Sequence, residues 1–203
     1  MLFEADLRRK TYCILLMDNG RNVCGFSTVR HLKLTSKCRE VAVLFSGDTV
    51  IDQPWWGEQA LPFAWIEQAG RIKAADPATL LYWLLITKGH RTFRYLPAFA
   101  RTYHPQTGEP GNLSRLAHEI ATQLFDARYD ARKGILSLDG TCPTALRPEF
   151  RGFDEAHLNN PHVQFFLSRN PGHALGEELV CLCELSVANL RPWAQKQFRK
   201  GLE

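Results

Sequence analysis

Residues 39–87 read REVAVLFSGDTVI (39–51), DQPWWGEQ (52–59), ALPFAWIEQAGRIKAADPA (60–78) and TLLYWLLIT (79–87), and three different periodicities follow one another in them. The first run is β-branched and apolar and ends at Asp52-Gln53-Pro54, the mark of a strand. In the third, Leu61, Ala64, Trp65, Gln68 and Ile72 recur at i, i+3, i+4 spacing, which predicts a helix. Pro62 sits near its start, where a missing N–H is tolerated, and Gly70 near its end. Asp76-Pro77 breaks the chain, and Thr79 to Thr87 is apolar without interruption, as a strand buried on both faces requires. Strand, helix, strand in this order predicts a βαβ crossover.

Upstream, Thr11 to Met17 (TYCILLM) and Val23 to Leu34 flank the turn signal Asp18-Asn19-Gly20, which predicts a hairpin extended by residues 39–51 into three antiparallel strands. Downstream, Thr92 to Tyr103 (TFRYLPAFARTY) places Phe93, Leu96, Phe99, Ala100 and Tyr103 on one helical stripe, with Pro97 at its start or at a kink. A Pro/Gly-rich loop over His104 to Gly111 leads to an amphipathic helix over Leu113 to Phe125. From Asp126 to Pro161 the signal fades to one short strand at Gly134 to Leu138 among Gly140, Pro143, Pro148 and Gly152. Val163 to Ser168 (VQFFLS) and Glu178 to Leu185 (ELVCLCEL) read as a closing hairpin, followed by a basic helix at Arg191 to Lys200. The class is therefore α+β, one domain over 1–203 with a less regular insertion at about 105–160.

The 203 residues are 45% hydrophobic and 23% charged, which excludes a disordered chain, and no apolar run reaches the length of a membrane span. A net charge of +4 is too small to announce a nucleic-acid binder, so no nucleic acid is expected; the basic helix at 191–200 is the one place such binding could reside. Cys13, Cys24, Cys38, Cys142, Cys181 and Cys183 lack C-x2-C spacing, which argues against structural zinc. Cys181 and Cys183 share a face on a strand and read as small core residues. MLFEADLRRK carries no export signal, and free thiols suit a cytoplasmic location. The absence of a P-loop, a G-x-S-x-G elbow and a G-x-G-x-x-G fingerprint argues against triphosphatase, hydrolase and Rossmann oxidoreductase classes.

This element order resembles the GCN5-related N-acetyltransferase (GNAT) superfamily, whose core is three antiparallel strands, a helix, a parallel strand, a helix and a closing strand pair. The resemblance covers residues 11–104 and, more loosely, 162–186. Members begin with one further strand and a helix pair, so it implies that the first elements are truncated here or that the start lies late. The family's phosphate motif is Gln or Arg, two residues, Gly, one residue, then Gly or Ala, at the strand-to-helix junction. Here Gln53-Pro54-Trp55-Trp56-Gly57-Glu58-Gln59-Ala60 stands there, with Gln53 one residue further from Gly57 and Gln59 at the second small position.

The resemblance implies an acyl-CoA-dependent N-acyltransferase that moves an acetyl or longer acyl group to a small-molecule or protein amine by direct attack on the thioester. Acetyl-CoA or acyl-CoA would be the co-substrate, and no metal is expected. Backbone amides near Asp48, Thr49 and Val50 would polarise the carbonyl, and the turn Trp56, Gly57, Glu58, Gln59 and Ala60 would hold the pyrophosphate. Further on, Lys88 stands at the family's Asn position, Arg91 at the small position and Tyr95 at the Tyr that protonates the departing thiolate. Lys88 and Arg91 could also approach phosphates. Asp48 is the candidate base and Glu40 a lesser one.

Each assignment has a plainer counterpart. Ser46-Gly47-Asp48-Thr49 is either a bulge that re-aims amides or a turn that splits the strand. Trp55 and Trp56 either line a binding slot or anchor the turn, and Tyr95 either donates a proton or packs its ring. The loop Asn170-Pro171-Gly172-His173 with Glu177 and Glu178 is either titrating chemistry or a surface turn. Histidines 31, 90, 104, 118, 157 and 162 show no ligand spacing. Two other functions stay open: a transferase taking its acyl group from an acyl carrier protein, and a non-catalytic GNAT-fold protein that binds a partner.

Overall fold

The computed structural model describes residues 2–137 and 159–203. The expected irregular stretch around Gly140, Pro143, Pro148 and Gly152, together with Cys142, lies outside the described residues. The fold is mixed α+β and divides into two compact units, residues 1–84 with 184–203, and residues 85–183.

In the first unit a short helix α1 (Leu2–Leu7) precedes three antiparallel strands, β1 (Tyr12–Met17), β2 (Val23–Ser36) and β3 (Arg39–Ile51). β1 pairs Tyr12 with Val29 and Leu15 with Phe26; β2 pairs Ser36 with Arg39 and Leu32 with Val43. The β2–β3 turn is only Lys37-Cys38, and both residues are left-handed, at φ 47° and 62°. A two-residue turn with φ positive at both positions matches the twist of the flanking strands, although Asn-Gly is its usual sequence.

Helix α2 (Ala60–Ala75) returns the chain to β4 (Leu80–Thr87), whose residues Leu80 to Leu84 run parallel to Val41 to Phe45. The predicted crossover is present. Leu81 to Leu84 and Val41 to Leu44 are all buried, so the uninterrupted apolar run of β4 reflects a strand covered on both faces. The last helix of the chain, α7 (Pro192–Leu202), packs on α2 with their backbones close: a Cβ on Gly70 would meet the Phe198 carbonyl oxygen at 2.1 Å, and one on Gly201 the Glu67 carbonyl oxygen at 2.0 Å. Among these elements Trp65 tilts against Trp83 with ring centroids 5.0 Å apart, and Leu16, Cys24 and Leu61 form a separate small core with Ile14, Ile51 and Trp55.

The second unit contains helices α3 (His90–Phe93), α4 (Tyr95–Phe99), α5 (Gly111–Phe125) and α6 (Pro161–Arg169). It also holds β5 (Tyr129–Asp130) and β6 (Ile135–Leu136), with β6 antiparallel to β7 (Glu178–Glu184) at Ile135↔Leu179. Phe93, Leu96, Ala117, Ile120, Phe166 and Leu179 to Cys183 are its buried centre, with Cys181 and Cys183 in the core as expected.

Two expectations are corrected in this unit. The single helix over Thr92 to Tyr103 is two short ones divided at Arg94, because Pro97 has no N–H to give the carbonyl of Phe93, four residues back. Val163 to Ser168 is helix, not strand, so the chain does not close with a hairpin. Asn160 caps α6, its side chain accepting from the amides of His162 (2.9 Å) and Val163 (3.4 Å), and Pro161 occupies the first turn.

Candidate functional site

Polar groups gather in the first unit where β3 leaves its parallel partner. The β3–β4 ladder ends at Phe45↔Leu84, while β3 continues to Ile51 along β2. There Val29 pairs with Ser46 and Ser27 with Thr49, so Gly47 and Asp48 together oppose the single residue Thr28. This is a β-bulge in an unbroken strand, which resolves the two readings of Ser46 to Thr49 in favour of the bulge.

Side chains fix it from both sides. The Ser27 and Thr49 hydroxyls lie 2.9 Å apart, the Thr28 hydroxyl donates to the Asp48 carbonyl at 3.5 Å, and the buried indole N–H of Trp83 donates to Ser46 Oγ at 2.7 Å. Gly47 lets two side chains come close: a Cβ there would meet Thr28 Oγ1 at 2.4 Å and Lys10 Nζ at 2.5 Å, and both would have to move aside. Lys10 therefore brings an ammonium to the bulge, with its side chain 9% exposed, bonded to Asp6 at 2.9 Å and lying over the Phe45 ring. The sequence reading passed over Lys10, whose only signal was a basic run, Arg8-Arg9-Lys10, immediately before the first strand. The carboxylate of Asp48 is exposed, as are Thr49 and Val50, and Glu40 is held by Lys33 at 2.8 Å.

The junction to α2 is a tight turn. A 3-10 turn covers Gln53 to Trp55, and Trp55 packs into the small core beside Leu16 and Leu61. Trp56 stays 46% exposed, its indole N–H donating to the Ile51 carbonyl at 2.8 Å. The two tryptophans thus divide the alternatives, Trp55 anchoring the turn and Trp56 offering an accessible flat surface. Gly57 is left-handed at φ 97° with nothing near its missing Cβ, and Gln59 Nε2 donates to the Gly57 carbonyl at 2.8 Å. The α2 ladder starts with the Phe63 amide on the Gln59 carbonyl at 3.0 Å, so the amides of Ala60 and Leu61 precede it. Glu58 is exposed beside this positive helix end.

Lys88, Arg91 and Tyr95 belong to the second unit. Lys88 follows β4, where Thr87 Oγ1 and the Gly89 amide are 3.0 Å apart, and Arg91 is exposed on α3. Tyr95 opens α4 with its ring edge-on to Phe99 at 5.5 Å; burial pushes its phenol above the usual tyrosine value, so it keeps its proton near neutrality. In the loop read as titrating or turn-forming, Asn170 is fully buried, donates to the Glu177 carbonyl at 2.8 Å and accepts from the His173 amide at 3.2 Å, which is turn construction.

Among the described residues, no group of three or more His, Cys, Asp or Glu is placed to hold a metal ion, and no helix is long and apolar enough to cross a membrane. Comparison with protein-family models, with curated proteins and with solved structures finds no match to this chain.

Proposed function

We propose that this chain is an acyl-thioester-dependent N-acyltransferase of the GCN5-related type. One observation supports the reading above the others: the third strand of an antiparallel set is bulged at Gly47-Asp48, two residues beyond the last pair of its parallel ladder. A strand with one ladder partner can lend its other edge to an extended pantetheine-like arm, and a bulge re-aims amides toward a carbonyl oxygen.

In this reading the amides of Asp48 to Val50 polarise the thioester carbonyl and the Lys10 ammonium lies where negative charge develops. The turn at Gly57 and the first amides of α2 take the pyrophosphate of acetyl-CoA or a longer acyl-CoA. The amine nitrogen attacks the carbonyl carbon, the C–S bond breaks, and the proton of the amine passes to Asp48, directly or through water. The sulfur leaves as a thiolate and takes its proton from water. The acceptor is a small-molecule or protein amine, and a cytoplasmic setting agrees with the free thiols of the described cysteines.

A second reading, a non-catalytic protein that binds a partner, draws on the apolar residues left exposed on and beside the hairpin strands, Leu15, Met17, Val23 and Val50, each about half exposed.

A thermal-shift titration with coenzyme A, acetyl-CoA and a long-chain acyl-CoA, with ATP as polyphosphate control, separates the two. Ligand at about 100 times its Kd stabilises the native state by about 2.7 kcal/mol, a shift of a few degrees for a chain of this size. A saturable shift with coenzyme A and none with ATP supports the transferase. No shift with any thioester overturns the coenzyme A reading and favours partner binding or a carrier-protein donor.

A further inference from the structure

Strand β1 is the outermost strand of the first unit and has a ladder partner on one side only. It pairs with β2 from Tyr12↔Val29 to Met17↔Val23, and among the described residues no hydrogen bond reaches its outer edge. An open strand edge is a row of unpaired N–H and C=O groups, which natural proteins blunt with charges, proline, a bulge, extreme shortness or a covering element. Tyr12-Cys13-Ile14-Leu15-Leu16-Met17 is six residues long and carries neither charge nor proline, and its one irregularity of register falls at the last residue.

The exposed side chains beside this edge are apolar and lie in register. Ile14 and Leu16 face the small core with Leu61 and Trp55, so alternation turns Cys13, Leu15 and Met17 to the opposite face of the sheet. There Leu15 stands directly across from Phe26, and Phe26 from Val50, an apolar row that runs over three strands out to the open edge. Leu15 and Val50 are each about half exposed, as are Met17 and Val23, which pair with each other at the end of the hairpin. Exposed apolar surface gathered in one place marks a contact with something else.

The residues of the edge select the occupant. Two antiparallel copies of a strand, related by a two-fold axis normal to the sheet, place one residue opposite its own copy and keep each face opposite the same face. Like charges set opposite one another would oppose such pairing, and β1 has none. With Leu15 on the axis, Cys13 meets Met17 of the second copy, and the apolar row becomes Val50, Phe26, Leu15, Leu15, Phe26, Val50 across the two chains. With Ile14 on the axis, Leu15 would meet Cys13 and the row would run out onto Thr28, the polar residue paired with Cys13. Only the first register joins apolar to apolar throughout.

We propose that β1 is a dimerisation edge: two copies of this chain pair β1 antiparallel about Leu15, which extends the antiparallel set across the two-fold axis and joins the two apolar rows. The surface lies wholly within the first unit and is independent of the acyl-transfer reading, so it stands if that reading fails.

The test is sedimentation equilibrium of the full chain over a concentration series, with oxidative cross-linking to read the register. The mass is expected to rise from that of one chain, 23.1 kDa, toward that of two as concentration increases. Leu15→Lys sets two like charges on the axis and is expected to weaken the dimer by at least about tenfold, while its exposed position leaves the far-ultraviolet circular dichroism unchanged. Leu15→Cys sets two thiols directly opposite, with Cα atoms about 4.5–5.5 Å apart, and is expected to give a disulfide-linked dimer under oxidised glutathione. Wild type treated in the same way is not expected to link through Cys13, which stands four residues, roughly 14 Å along the strand, out of line with its own copy. A chain that keeps the mass of one copy at every concentration leaves the edge to a different partner and overturns the proposal. So does a dimer whose affinity is unchanged in Leu15→Lys, or a Leu15→Cys variant that links no faster than wild type.

Discussion

Trp83 donates its indole N–H to the hydroxyl of Ser46 at 2.7 Å, in the interior of the first unit and one residue past the end of the β3–β4 ladder. Backbone pairing stops at Phe45↔Leu84, and this side-chain bond carries the connection one step further along β3 to the edge of the bulge. Ser46→Ala removes this acceptor from a buried donor, which is expected to destabilise the protein by about 1–3 kcal/mol. In a double-mutant cycle by urea denaturation, Ser46→Ala combined with Trp83→Phe is expected to cost less than the two changes added. Strict additivity would show that the bond contributes nothing.

The bulge also gives a kinetic expectation. If Asp48 takes the amine proton, Asp48→Asn lowers acyl transfer by about 10²-fold or more while leaving the melting temperature within a degree or two, because the carboxylate is exposed. Release of free thiol from acetyl-CoA measures it once an acceptor amine is found. Unchanged turnover in that assay removes Asp48 from the mechanism.

A different local feature predicts a stabilised variant. Lys37 and Cys38 both occupy the left-handed region in the β2–β3 turn, where side-chain-bearing residues are strained by about 1 kcal/mol each. Lys37→Asn with Cys38→Gly supplies the residues this turn prefers and is expected to stabilise by roughly 1 kcal/mol, read as a raised urea midpoint with unchanged slope. A lowered midpoint would mean that Lys37 or Cys38 contributes something beyond the turn.

At the α2–α7 contact the expectation has the opposite sign. Alanine is the better helix former by about 1 kcal/mol, yet a Cβ on Gly201 would stand 2.0 Å from the Glu67 carbonyl oxygen and 2.9 Å from the Gly70 Cα. Neither is the end of a flexible side chain, so the two helices must separate. Gly201→Ala is therefore expected to lose about 2 kcal/mol or more in spite of its propensity gain, seen as a drop of several degrees in melting temperature. A rise would show that α7 can shift at little cost.

Much of the first unit was legible because each element there carries its own signal: β-branched runs for β1 to β3, an i, i+3, i+4 stripe for α2, an unbroken apolar run for β4. Gly47-Asp48 was also visible, as a small polar interruption in an apolar strand, although only the register of Val29 and Ser27 distinguishes bulge from turn. VQFFLS misled because a short apolar run fits strand and helix equally. The deciding residues, Asn160 and Pro161, lie just outside it and form a helix cap. The hydrogen-bonded pairs His104–Glu109 and His118–Tyr129, whose imidazole centres stand 5.5 Å apart, could not be read from spacing. Their members come from two loop positions, a helix and a two-residue strand, and only the folded chain brings them together.

These two pairs give the protein a defined pH response. Burial chiefly, with the positive influence of His118 and Arg169, holds the His104 imidazole down to about 4, against about 6.5 in the unfolded chain. Between those values the unfolded state takes up a proton that the folded state refuses. The contribution is complete above about pH 6.5, declines as pH falls toward 4, and amounts to about 3 kcal/mol at most. His118 is lowered in the same sense and adds to the loss. Glu109, raised by its own burial, acts oppositely: its contribution is present at low pH and fades as pH rises through its folded value, which flattens the acid end of the curve. Urea unfolding followed by circular dichroism at intervals from about pH 4 to pH 7.5 is expected to show stability rising with pH across this window, and His104→Gln is expected to reduce the slope by close to one proton. An equal slope in wild type and variant would mean that His104 titrates freely in the folded protein and is not shielded between Glu109 and His118.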